Sequence, residues 1–320
     1  MSCAALILFA CVAPFLQGGP AVGDTSFTTY SASRKVLKHF PHARTVIPKL
    51  PPGVKSELDV VYATRGKHNL KLDIFFPSTD KTSDHPGVLL IHGGGWSSGD
   101  MTMQIPMAQQ FAAHGYVAAS IEYRLSPEAL FPAAVYDIKT GIRWMRANAA
   151  RYRLDTNRIA VYGCSSGGEL AAFVGVTGDM KKFAGDGPYQ DRSSTVQAIV
   201  DVDGLLDFMN DSSTVYDEDT DKPSAADKWL GGSYRSIPQT WGDASPINYI
   251  GRDTPPIEFI NSSIPHYHAG REECILKLKA NGVYYEVHSI PGTPHPFWLF
   301  HPWFETTLEY AISFLDSKLK

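Results

Sequence analysis

The chain is poor in cysteine, in charge and in long apolar runs, and each scarcity excludes something. Four cysteines stand in 320 residues, too few and too scattered for a disulfide framework or a zinc knuckle. Asp, Glu, Lys and Arg make up 19% of the chain and leave a formal net charge of −4. That balance gives no basic surface for nucleic acid or for an anionic membrane. Beyond the N-terminus no apolar run is long enough for a membrane-spanning helix. Internal repeats are absent as well. What remains is the ordinary composition of a globular protein, 43% hydrophobic.

The N-terminus carries the longest apolar stretch. Residues 4–16 read AALILFACVAPFL, and Ala21 and Gly23 permit cleavage before Asp24. Residues 1–23 are therefore expected to be a signal peptide, and the protein secreted or periplasmic. The preceding Met-Ser-Cys has no basic residue. Cys11, after Leu8-Phe9-Ala10, opens lipid anchoring as an alternative. Removal of this segment leaves Cys164 and Cys274, expected as two buried free thiols.

Residues 24–57 read as an irregular arm, with Pro48, Pro51 and Pro52. From Leu58 to the C-terminus strand and helix signals alternate, which predicts one α/β domain over 58–320. Residues 59–63 and 70–75 read as a hairpin pair. Gly87–Ile91, Val117–Ile121, Arg158–Tyr162, Val196–Val202, Ile257–Ile260 and Tyr285–Ile290 read as further strands. Several are continuous apolar runs, as parallel strands covered on both faces should be. Helices are expected at about 132–149, where Val135, Ile138, Ile142 and Met145 form one stripe, at about 270–280, and at about 303–319. Residues 208–246 break the rhythm as a polar excursion with Trp229 and Trp241. Its acidic run Asp217-Glu218-Asp219-Thr220-Asp221 lacks calcium-loop spacing and reads as a solvated loop.

Three motifs carry chemistry. Gly163-Cys164-Ser165-Ser166-Gly167 matches G-x-S-x-G between a strand and a helix, the context of a nucleophile elbow. Ser165 is the candidate nucleophile, and the Ser166 N–H points toward a developing oxyanion. His92-Gly93-Gly94-Gly95-Trp96 follows an apolar strand. Its side-chain-free residues let the Gly94 and Gly95 amides approach a carbonyl, with fixed donors worth about 3–4 kcal/mol each in the rate. No G-K-[ST] follows, so a phosphate loop is disfavoured. His92 reads as structural. His295, in a loop between the last strand and the last helix, is the candidate general base.

With these motifs the chain resembles the α/β-hydrolase superfamily. Within it, the chain is similar to hormone-sensitive-lipase-like carboxylesterases and to bacterial acetyl and feruloyl carbohydrate esterases. Residues 122–128 (EYRLSPE), 131–134, 158–161 and 244–249 add to the likeness, which covers about residues 58–315. The resemblance implies a mainly parallel sheet of about eight strands with helices on both faces. It also implies Ser165 as nucleophile, His295 as base, and oxyanion donors at Gly94, Gly95 and Ser166. One member departs from the pattern: Ser263 stands where relatives place the triad Asp. Asp203, ending strand 198–203, is the first substitute, and Glu272 or Glu273 the runners-up. Trp96 and Trp298 are candidate substrate-binding rings. The expected reaction is hydrolysis of short-chain esters, acetyl above feruloyl, on a plant polysaccharide such as xylan or pectin. It needs no metal or organic cofactor. An amide or formamide hydrolase, or a binding module that lost its acid, are the alternatives. The oligomeric state is open.

Overall fold

The computed structural model describes residues 26–78, 83–126, 128–210 and 222–320. The N-terminal apolar stretch with Cys11, and the acidic run at 217–221, lie outside them. Ten strands are formed among the described residues: β1 (Arg44–Thr45), β2 (Val54–Arg65), β3 (His68–Pro77), β4 (His85–Ile91), β5 (Val117–Ile121), β6 (Leu154–Cys164), β7 (Ala198–Val202), β8 (Ile257–Asn261), β9 (Tyr285–Ser289) and β10 (Phe300–His301). Eight of them make one sheet in the order β2-β3-β5-β4-β6-β7-β8-β9. β2 and β3 form the expected hairpin, β3 is antiparallel to β5, and every later pairing is parallel.

The apolar runs explain the layering. In β4 each residue is buried, and successive side chains go to opposite faces. Leu89 and Ile91 join one hydrophobic core, while Val88 and Leu90 join a second. β6 splits in the same way, with Val161 in the first core and Tyr162 in the second. The helix Ala133–Ala147 covers the first face with Val135, Ile138, Ile142 and Met145. The helix Trp303–Leu319 covers the second with Ala311, Phe314 and Leu315. The mainly parallel sheet with helices on both faces is thus present as expected.

The arm departs from its reading. Residues Thr29–His39 form a helix that starts with a capping box between Thr28 and Ser31. Ala32 and Val36 seat it in the second core. β1 then pairs with β10, Arg44 opposite His301. β2 also begins at Val54, inside the segment read as irregular. In the excursion, short helices Ala225–Leu230 and Pro238–Ala244 carry the fully buried Trp229 and Trp241. Cys164 and Cys274 are buried free thiols.

One buried ion cluster ties the helix Ala133–Ala147 to the rest. Asp137 is fully buried and receives Arg124 Nε at 2.8 Å, Arg124 Nη2 at 2.9 Å and Arg65 Nε at 3.2 Å. Removing a single partner from such a cluster strands the opposite charge. Asp137→Ala is therefore expected to lower the unfolding free energy by about 3–5 kcal/mol, read as a shifted midpoint in urea denaturation.

Candidate active site

The site is built at the carboxyl ends of β4, β6, β7 and β8, where ligands bind in open α/β sheets. β6 ends at Cys164 and the helix Ser166–Thr177 starts two residues later. Ser165 bridges them with φ 57° and ψ −125°, a conformation costing about 1–3 kcal/mol for a residue with a side chain. Its backbone N–H donates to Val202 O at 2.8 Å, which fixes the elbow against β7. The turn tolerates no bulk: a Cβ on Gly163 would lie 1.9 Å from Gly167 O.

Asp203 directly follows β7 with φ 51°, its N–H donating to Ile260 O at 3.0 Å. That twist turns its carboxylate toward the last loop. Asp203 Oδ2 is 3.0 Å from His295 Nδ1, and His295 Nε2 is 2.8 Å from Ser165 Oγ. The second carboxylate oxygen, Oδ1, accepts the Ser262 N–H at 2.7 Å. The end of β8, where the resemblance would place the acid, thus supplies the amide that steadies the acid on β7. Ser263 is exposed and takes no part. The runners-up are elsewhere: Glu272 accepts from Arg271, and Glu273 accepts from Asn210 Nδ2 at 3.4 Å.

His295 is mostly buried, its side chain 17% exposed. Burial pushes its imidazole below the ordinary histidine range, and the hydrogen bond to Asp203 opposes the shift without cancelling it. The ring is therefore neutral at neutral pH, with Nδ1–H donating to Asp203 and Nε2 accepting from the Ser165 hydroxyl. That is the protonation state a general base requires.

A cavity of about 270 Å³ opens beside Ser165. Gly95, Ser166 and Trp96 line it, together with Leu205, Phe208, Trp241, His266 and Tyr267. Ser166 is the first residue of its helix, so its N–H has no partner within the helix and sits at the positive end of the dipole. Gly95, at φ 58°, lines the same cavity. Gly94 stands one step back from the lining. Its carbonyl accepts from Ser98 N at 3.1 Å and from Ser98 Oγ at 2.7 Å, which shapes the loop. His92 is buried, stacks on Tyr123 with ring centroids 4.4 Å apart, and is structural.

Trp96 has a fixed place in the wall. It stacks on Trp229 at 4.8 Å, and its Nε1 donates to Glu169 Oε2 at 2.9 Å. Burial pushes Glu169 well above the usual carboxylate range, and the hydrogen bond from Trp96 opposes that shift. Trp298 is a correction. The single helical turn Phe297–Leu299 carries its ring into the second core, 3% exposed and edge-on beneath His295 at 5.2 Å. It lines a separate cavity of about 210 Å³ against the arm, away from Ser165. The ring that does meet His295 from the cleft is Tyr267, stacked with centroids 3.3 Å apart. Sequence reasoning misses it, although its position in the loop directly after β8, a strand end of the site, is a usable signal.

The BD-FAE family matches residues 72–264, and the chain belongs to that family, with the α/β-hydrolase fold. It is 31% identical over 217 residues to Esterase LipC of Mycobacterium tuberculosis, covering 65% of this chain and 49% of that protein. It is 34% identical over 155 residues to Carboxylesterase NlhH of the same organism, covering 47% of this chain and 48% of that protein. The chain spans about half the length of the curated relatives it matches. Among solved structures it is similar to a truncated carbohydrate esterase from gut microbiota, with a TM-score of 0.69 and 26% identity over 85% of this chain and 99% of that one. It is also similar to a propionate-bound thermophilic esterase, Est2, of Thermogutta terrifontis, with a TM-score of 0.66 and 25% identity over 84% of this chain and 96% of that one.

Two outcomes follow from the geometry. A fluorescent organophosphonate is expected to label Ser165, to fail on Ser165→Ala, and to react on the order of 10³–10⁴-fold more slowly with Asp203→Asn. The labelling rate of the parent protein is expected to fall on acidification, because proton uptake by His295 removes the base. Since burial lowers that imidazole, the half-maximal point should lie below the ordinary value of about 6.5.

Proposed function

We propose that the protein is a serine carboxylesterase that hydrolyses small acyl esters, with acetyl groups on a plant polysaccharide such as xylan or pectin as its substrate. The observation that carries the reading is the continuous chain Asp203–His295–Ser165 opening on a cavity of about 270 Å³. Ser165 Oγ attacks the ester carbonyl as His295 Nε2 takes its proton. The oxyanion rests on the Ser166 N–H and on backbone of the Gly94–Gly95 loop. The proton passes to the departing alcohol, and water repeats the sequence to release the acid.

The substrate class draws on the cavity and on the relatives. Leu205, Phe208 and Trp241 make the wall apolar, and its size suits a short acyl chain better than a fatty one. One structural neighbour is described as a carbohydrate esterase and another as a bifunctional GH43-CE protein of Bacteroides eggerthii. A polysaccharide substrate also goes with an exported protein, as the apolar stretch at residues 4–16 suggests. The reading as a binding module without its acid loses its reason, since Asp203 reaches His295.

Acetate release from acetylated xylan and acetylated pectin is the direct test, and Ser165→Ala should release none. Labelled, folded enzyme that frees no acetate from either polymer would sink the polysaccharide reading and leave the esterase reading standing. Trp241→Ala should enlarge the apolar wall and move chain-length preference from acetate toward longer p-nitrophenyl esters. An unchanged ranking of kcat/KM would show that Trp241 does not bound the acyl site.

A further inference from the structure

We propose that Glu258, Glu286 and His288 form a binding site for a divalent cation of the zinc type, at the β9 edge of the sheet and separate from the serine site. The three come together through strand register. Glu258 on β8 is paired with Glu286 on β9, and His288 follows two residues later on the same face. Their ligand atoms all lie within 4.8 Å of one another. His288 Nε2 is 3.2 Å from Glu286 Oε2 and 3.5 Å from Glu258 Oε1, so it stands between both carboxylates.

Glu258 is the observation that asks for an occupant. It is fully buried, and neither carboxylate oxygen has a hydrogen-bond partner among the described residues. A carboxylate in that setting is costly unless a proton or a cation neutralises it. The other two residues are about 30% exposed and open the cluster to solvent. Both are held in place from outside. Tyr284 Oη donates to Glu286 Oε1 at 2.6 Å, and the His288 ring stacks on Tyr310 of the last helix at 4.1 Å. Such outer contacts hold Glu286 and His288 beside Glu258, the support that metal-ligating groups need.

The donor set selects the class of ion. One imidazole and two carboxylates match the nitrogen and oxygen ligands of zinc, with a fourth position left for water. Calcium takes six to eight oxygens and is underserved here. An ion would cross-link β9, the edge strand, to β8. β9 runs directly into the loop that carries His295, so the cross-link would brace that loop from behind. The ester chemistry itself passes through no metal. The rival occupant is a proton on His288 or Glu258, which would make the cluster an ordinary buried hydrogen-bonded group.

The test is zinc titration of the chelator-treated full chain, read by calorimetry and by competition with a chromophoric chelator. One zinc per chain is expected, with a raised melting temperature. Glu258→Gln and His288→Gln should each weaken binding by at least about 100-fold and abolish the thermal shift. His68→Gln should change neither, although His68 also lies between two glutamates, Glu122 and Glu128. Should Glu258→Gln fail to fold by circular dichroism, Glu286→Gln at the open rim carries the same comparison. No zinc uptake by the parent protein overturns the proposal. So does uptake that survives Glu258→Gln and His288→Gln in folded protein.

Discussion

The structure depends on the parallel register of β6, β7 and β8. Ser165 is locked to β7 through Val202 O, and Asp203 is locked to β8 through Ile260 O. Those two backbone bonds carry the chain from one strand end to the next and leave Ser165 and Asp203 on one ledge. His295 arrives from a loop and completes the line. A slip of one residue in any of these pairings would turn the side chains to the opposite face. The hydrophobic sorting of Val161, Ile199 and Phe259 to one core, and of Tyr162, Val200 and Ile260 to the other, makes such a slip prohibitive. The alignment of Asp203, His295 and Ser165 is therefore secured by ordinary core packing beneath it.

Above the ledge the wall is aromatic. Trp96, Phe208, Trp229 and Trp241 contact one another in a continuous group. The indole of Trp96 is pinned to Glu169, one turn into the helix that begins beside Ser165. Burial there disfavours the charged carboxylate, and the indole hydrogen bond offsets part of that cost. The Trp96–Glu169 hydrogen bond thus joins elbow helix and wall. Tyr267 closes the opposite side by lying flat on His295.

Much of this is legible in the sequence where the signal is local. The elbow and the triple glycine are contiguous motifs, and the buried strands declare themselves as apolar runs. The triad acid is harder. Asp203 and His295 are 92 residues apart, and their meeting depends on strand order and on a positive φ at Asp203. The arm helix escapes a sequence reading because Thr29–His39 buries little beyond Ala32 and Val36 and shows no broad apolar stripe. Trp298 is misplaced by such a reading because closeness to His295 along the chain does not say which way one turn of backbone rotates a ring. Tyr267 sits in the short turn Pro265–His268 beyond β8, where its place at a strand end is the one signal and no motif marks it.

The pairing of β1 with β10 reaches further than its two residues. It joins the first described part of the chain to a segment just after the His295 loop. Contacts between such distant positions close a very large loop, and that entropy is lost before any contact offsets it. The histidine loop is thus bracketed by β9 on one side and, on the other, by a two-residue strand whose partner precedes the whole main sheet. A ribosome must have passed His301 before that bracket can close. Ser165 leaves the ribosome 130 residues before His295 does, and the elbow gains its own anchor, Val202 of β7, only in between.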